Sequence, residues 1–209
     1  MRVGSVNIVD LFASTDWCLR KSFPNDYDIR CLYSACAIHT ILLNAGVKSS
    51  IVGGNVGVFT MSIDGRDARL EGFRGFTSEQ PSHFWVETQG YILDPNTTYL
   101  PKGSRMDAVE MPMIVWDKSE VLPKYLQYEE TIRYMEDAQY CLPDDIANRI
   151  KTFIEDCSKR YFSRAAKKKL PTWILTSKHG LNDAARSGDR WAKGALRFES
   201  LSSVPSIPQ

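Results

Sequence analysis

The hydrophobic period of this chain changes once, near residue 46, and that change constrains the fold more than any other feature. Over residues 29–45 the apolar positions recur with helical spacing. Leu32, Cys36, His39 and Leu43 fall at i, i+4, i+7 and i+11, with Ala35 and Leu42 beside them. A helix with one apolar stripe packs that stripe into a core. Asp28 reads as its N-cap, and Gly46 stands where a glycine closes a helix. Over residues 48–63 Val, Ile, Phe and Thr dominate, and Gly53, Gly54 and Gly57 interrupt them. That is strand composition. A helix followed at once by a β run implies a helix layer packed on a sheet.

The rest of the chain extends this plan. Asp64-Gly65 is a hairpin turn signal, with a strand expected over 66–73. Residues 74–82 read as a loop. His83–Thr88 and Tyr91–Asp94 read as a second hairpin around Gln89-Gly90, and 111–116 as another strand. Residues 118–140, rich in Tyr and Glu, read as helical. Pro143 opens a clearer helix with Ile146, Ile150, Phe153, Ile154, Cys157 and Phe162 on one face. Residues 1–25 carry no assigned element. The expected fold class is α+β in one domain. Residues 1–116 form a catalytic-like core, 117–199 a mostly helical extension packed on it, and 200–209 a mobile Ser/Pro-rich tail.

Two cysteines on the first helix stand in different surroundings. Cys31 lies in its first turn, where the helix dipole and unpaired backbone N–H groups favour thiolate, the nucleophilic form. Cys36 lies on the apolar stripe, where burial favours an inert thiol. His83, Trp85 and Glu87 share one face of their strand, opposite Phe84 and Val86. With a two- or four-residue turn, Trp85 faces Asp94. His83 and Asp94 are then diagonal neighbours, roughly 7–8 Å apart at the backbone, a gap their side chains can bridge. A three-residue loop would instead put Asp94 on Phe84's face. In the first register Asp94 orients His83 as a base, which is triad logic.

Read together, these residues resemble the transglutaminase-like branch of the papain-like cysteine proteinase superfamily. The Cys opens a helix at Cys31-Leu-Tyr-Ser-Ala35, and Gly46 lies 15 positions on. Ser50-Ile-Val-Gly-Gly54 matches the following strand. His83-Phe-Trp85-Val-Glu87 and Tyr91-Ile-Leu-Asp94-Pro95 complete the set. The resemblance covers residues 28–96 and points to a small bacterial branch. It implies a Cys-bearing N-terminal helix packed on an antiparallel sheet that carries His and Asp, with further C-terminal helices. It also implies Cys31, His83 and Asp94 as catalytic residues of an acyl hydrolase or acyl transferase, of peptidase, amidase or deamidase type. Papain-like enzymes carry a Gln six residues before the Cys as an oxyanion donor, and here that position is Asn25. Trp85 and Glu87 would support the site. The alternative is a non-catalytic papain-like module that binds a protein partner. The His83-to-Asp94 spacing of 11, shorter than the family's usual hairpin, favours it.

Composition narrows the partners. Net charge is +1, which gives no reason to expect nucleic acid. Residues 141–209 hold 13 Lys and Arg against 7 Asp and Glu, and the run at 159–169 reads as a solvated helix face. No run of 18 apolar residues exists, so no membrane span is expected, and no signal peptide is recognised at the start. Five cysteines read as free thiols in a reducing cytoplasm. Cys31, Cys36, His39 and His83 do not have zinc spacing, so no metal and no cofactor is expected. The glycines at 53, 54 and 57 lack a phosphate-loop ending and read as bulges. His39 reads as structural, and His179 as a surface residue in a late loop. The expected substrate is a small molecule or peptide.

Overall fold

A computed structural model describes residues 1–77, 79–134, 143–201, 203 and 206–208. A short ribbon, β1 (Arg2–Val3) with β2 (Val6–Asn7), leads into α1 (Ile8–Ser22). Asn7 caps this helix: its Oδ1 accepts from the Val9 N–H at 3.1 Å. The sequence reading assigned no helix here. Ile8, Leu11, Phe12, Cys18 and Leu19 have helical spacing, but Ser14, Thr15 and Asp16, all buried, break the stripe.

A 3-10 turn over Tyr27–Ile29 precedes α2 (Cys31–Asn44). Asp28 belongs to that turn and is not the N-cap. Arg30 takes the position, with no side-chain cap, so Cys31 is the first helical residue. The other end is as expected. Gly46 adopts φ +73, its N–H donates to the Leu43 carbonyl, and the Val47 N–H donates to that of Leu42, both at 2.9 Å. This crossed pair is the glycine-dependent helix stop. Far from burying one stripe, α2 is buried on nearly every side, because α1 and α3 pack on it as well as β5.

Strand β3 (Ser50–Met61) organises the sheet. One edge pairs with β5 (His83–Thr88) over Ser50 to Gly54 and with β4 (Ala68–Phe73) over Val56 to Met61. Its other edge pairs with β8 (Leu126–Tyr134). The order continues from β5 to β6 (Tyr91–Asp94), β7 (Met113–Asp117) and β9 (Ile174–Leu175). Every pairing is antiparallel except β7 with β9, which is parallel. The β5–β6 hairpin turns at Gln89 and Gly90, both with positive φ, and pairs Val86 with Leu93. That is the register that puts Asp94 on His83's face.

Residues 126–134 form a strand, not the expected helix, because the open edge of β3 supplies a partner that local propensity does not encode. Residues 135–140 of that expected helix lie outside the described part. α3 (Asp144–Phe162) starts after Pro143 and buries Ile150, Phe153 and Cys157, whereas Phe162 is 63% exposed. His179 is exposed as expected, but on α4 (Lys178–Arg186). α5 (Arg190–Glu199) follows.

The class is α+β, with helices on both faces of the sheet. α1, α2 and α3 cover Ile51, Val86, Leu93 and Val115. α4 and α5 cover Val52, Val58, Ile92 and Trp116 through Leu181, Trp191 and Ala195. The Cys-bearing helix is therefore the second one. Residues 117–199 also supply a strand to each end of the sheet and are not only a helical extension. The tail, expected to be mobile, is docked at Ile207. That side chain is buried near Gly57 and Gly72, and Arg74 donates to the Ile207 carbonyl at 2.8 Å. No helix among the described residues is long and apolar enough to cross a membrane.

Of the expected bulges one is present, at Gly53 and Gly54: the β3–β8 register slips there, leaving Thr131 of β8 unpaired, with its hydroxyl donating to the Gly53 carbonyl at 3.1 Å, whereas Gly57 pairs regularly with Gln127 and Gly72. A Cβ at Gly54 would collide with the Glu129 carbonyl and stand 3.0 Å from the Trp85 ring. Gly54→Ala should therefore lower stability by about 1–3 kcal/mol, as overpacking does. The urea midpoint checks this; an unchanged midpoint would show that the bulge tolerates a side chain.

Candidate active site

Cys31 starts α2 and belongs to neither core cluster; it is 9% exposed. At the first helical position its sulfur faces the positive end of the dipole. His83 opens β5 and is 2% exposed, and Asp94 closes β6 fully buried. His83 Nε2 and Asp94 Oδ2 are 2.7 Å apart. That leaves Nδ1 open, and Cys31 lies near enough to the ring to help raise its affinity for a proton. Residues 63 positions apart in sequence thus meet at one imidazole.

Asp94 has three donors. Its Oδ1 accepts from the Asn96 N–H at 3.0 Å, which also caps the 3-10 helix Pro95–Gly103. Its Oδ2 accepts from His83 and, at 2.9 Å, from the Tyr128 hydroxyl on β8. Tyr128 was not a site candidate in the sequence, because residues 118–140 read as a helix with no face toward the hairpin. Trp85 completes the wall. Its ring lies 4.8 Å from Tyr128's and is stacked near that of His83 at 6.4 Å.

The other expected site residues separate. Glu87 shares the face but turns from the imidazole. Its carboxylate accepts from Arg133 at 2.9 Å and Lys118 at 2.5 Å, and from Trp85 Nε1 at 3.4 Å. Burial pushes its carboxyl up, but those two cations outweigh it and hold it below the usual range. It steadies Trp85. Asn25 lies exposed in the turn after α1, and its side chain hydrogen-bonds to none of the triad.

Burial, with the charge of Cys31 adding to it, pushes the Cys36 thiol up to about 12. For His83, burial favours the neutral ring. The charge and hydrogen bond of Asp94, joined by those of Cys31, outweigh it and raise the imidazole to about 10. Burial first, then Asp94, holds the Tyr128 phenol well above its ordinary range, so it stays a neutral donor. His39, read as structural, is buried with Nδ1 2.8 Å from the Ser49 hydroxyl. Among the described residues no group of three His, Cys, Asp or Glu side chains is placed to hold a metal ion.

No family model matches the chain, and no curated protein matches it. One solved structure is similar, the crystal structure of a genomics target. It is 15% identical, with 81% of this chain and 86% of that chain covered, at a TM-score of 0.45.

The His83–Asp94 pair gives stability a pH dependence. The folded pKa of His83, about 10, lies above the value of 6.5 for a free imidazole. Its contribution is therefore full below pH 6.5 and lost as pH rises through about 10. Asp94→Asn should flatten this loss, so that the urea midpoints of the two proteins converge as pH rises. Parallel profiles would mean that Asp94 does not hold the ring charged.

Proposed function

We propose that the chain is a thiol enzyme acting on an amide or ester carbonyl, with the triad Cys31, His83 and Asp94 on a papain-like, transglutaminase-like core. The observation that carries this reading is the fully buried Asp94 carboxylate 2.7 Å from His83 Nε2, with Cys31 near enough to act on the ring. A base oriented by a carboxylate beside a thiol at a helix start is the arrangement nucleophilic acyl chemistry requires.

In the first step the Cys31 sulfur, its proton already held on the His83 ring, bonds to the carbonyl carbon. The carbonyl π pair moves onto oxygen. Backbone N–H groups in the first turn of α2 have no intrahelical acceptor and face the developing oxyanion. As the tetrahedral adduct collapses, the bond to the leaving nitrogen or oxygen breaks and His83 returns its proton to that atom. Water or an amine then attacks the thioester as His83 takes its proton; the C–S bond breaks, the Cys31 sulfur leaves with the bonding pair, and the proton stays on His83, which restores the starting pair and completes hydrolysis or transfer. Asp94 fixes the ring's tautomer and offsets the imidazolium charge throughout.

Iodoacetamide labelling read peptide by peptide tests the reading. Cys31 should label well below pH 8 and, near neutrality, at least about 100-fold faster than Cys36, since the thiolate is the reactive form. Cys31→Ala should abolish any acyl-transfer or hydrolytic activity found by substrate screening. Equally sluggish labelling of all cysteines would remove the catalytic reading and favour a papain-like module that binds a protein partner.

A further inference from the structure

Tyr128 and the triad share one carboxylate oxygen. The Tyr128 hydroxyl lies 2.9 Å from Asp94 Oδ2, the oxygen that is 2.7 Å from His83 Nε2. In the sheet β3 and β5 lie between β8, which carries Tyr128, and β6, which carries Asp94. The hydroxyl crosses that span because the sheet curls and because Gly54, on the intervening strand, has no side chain to obstruct the Trp85 ring on which Tyr128 packs. A site that needed only a buried Asp–His pair has no use for this reach. Asp94 Oδ1 already takes a backbone donor, so Tyr128 is a second constraint on the orientation of the carboxylate.

We propose that Tyr128 is a positioning residue for the triad, setting through its hydrogen bond how strongly Asp94 holds the His83 imidazolium. This deepens the proposed function and rests on it. A donor on Oδ2 withdraws charge from the oxygen that faces the ring, so the imidazolium is held less tightly and returns its proton more readily to a leaving group. The groups that act on this centre come from three elements. His83 is met by Asp94 from β6 and Cys31 from α2. Tyr128 on β8 is met by Asp94. Cys36 of α2 acts only on Cys31's side, and Glu87 of β5 is paired to Lys118 and Arg133. Among the described residues His83 and Tyr128 are the side chains that hydrogen-bond to the Asp94 carboxylate.

The test follows the His83 ring nitrogens by NMR in the full chain, across pH, in native protein and in Tyr128→Phe. The variant should titrate about one pH unit higher, the scale of one charge-assisted hydrogen bond. If a substrate is found, kcat should fall about tenfold with KM unchanged, since only proton delivery is altered. Replacing Tyr128 with 3,5-difluorotyrosine, a stronger donor of nearly the same shape, should move the midpoint the other way. That arm decides the question if the Phe variant fails to fold. An unchanged His83 midpoint in the folded variants overturns the proposal. Because the ring is read directly, the outcome does not depend on whether Cys31 proves to be a nucleophile.

Discussion

A carboxylate with no exposure to solvent must be surrounded by donors or it cannot stay charged. Asp94 meets that requirement with the Asn96 backbone, the His83 ring and the Tyr128 hydroxyl. Each comes from a different part of the chain: the 3-10 helix after β6, the strand before it, and a strand more than thirty residues later. The carboxylate is thus the point at which the hairpin, the sheet and the long connection through β7 to β8 are joined. Loss of the β8 pairing would leave the charge one donor short, so the bulge at Gly53 and Gly54 matters to the site as well as to the sheet.

The two sides of the imidazole depend on different structure. On the Asp94 side everything is strand register, set by the Gln89–Gly90 turn. On the Cys31 side it is the placement of a helix end. α2 is held by α1 and α3 behind and by β5 in front, and its Gly46 stop fixes where it ends. The 3-10 turn before it delivers Cys31 at the first helical position. The helix interior is packed, so Cys36 one turn later sits in the core with its thiol pushed up. One helix thus carries one cysteine at its start and buries another five residues on in the core.

The outer pair of helices works differently. α4 and α5 cover the second face of the sheet through Leu181, Trp191 and Ala195, burying the strands that carry Trp85 and Ile92. Trp191 donates from Nε1 to the Phe59 carbonyl at 2.9 Å, tying the C-terminal third to the central strand. That third carries the excess of positive charge, and its apolar residues are part of the core on which the site wall rests.

Much of this was readable in order along the chain. The spacing of Leu32, Cys36 and His39 gave the helix, and Gly46 its end. The Gln89-Gly90 turn with its flanking alternation gave the hairpin, because side-chain period is a local property, but left two registers open, and the pairing of Val86 with Leu93 selects the one that puts Asp94 on His83's face. α1 was equally local, but its buried Ser14, Thr15 and Asp16 hid the pattern. What no local rule contained was which edge of β3 would be filled and by what. Leu126–Tyr134 is polar enough to read as a helix and becomes a strand only because β3 offers unpaired backbone groups. The sequence by itself determined the Cys-bearing helix and the His–Asp hairpin, through periodicity and turn chemistry. Only the tertiary structure decided that Tyr128 reaches Asp94, because that depends on how distant segments are brought together in the folded chain.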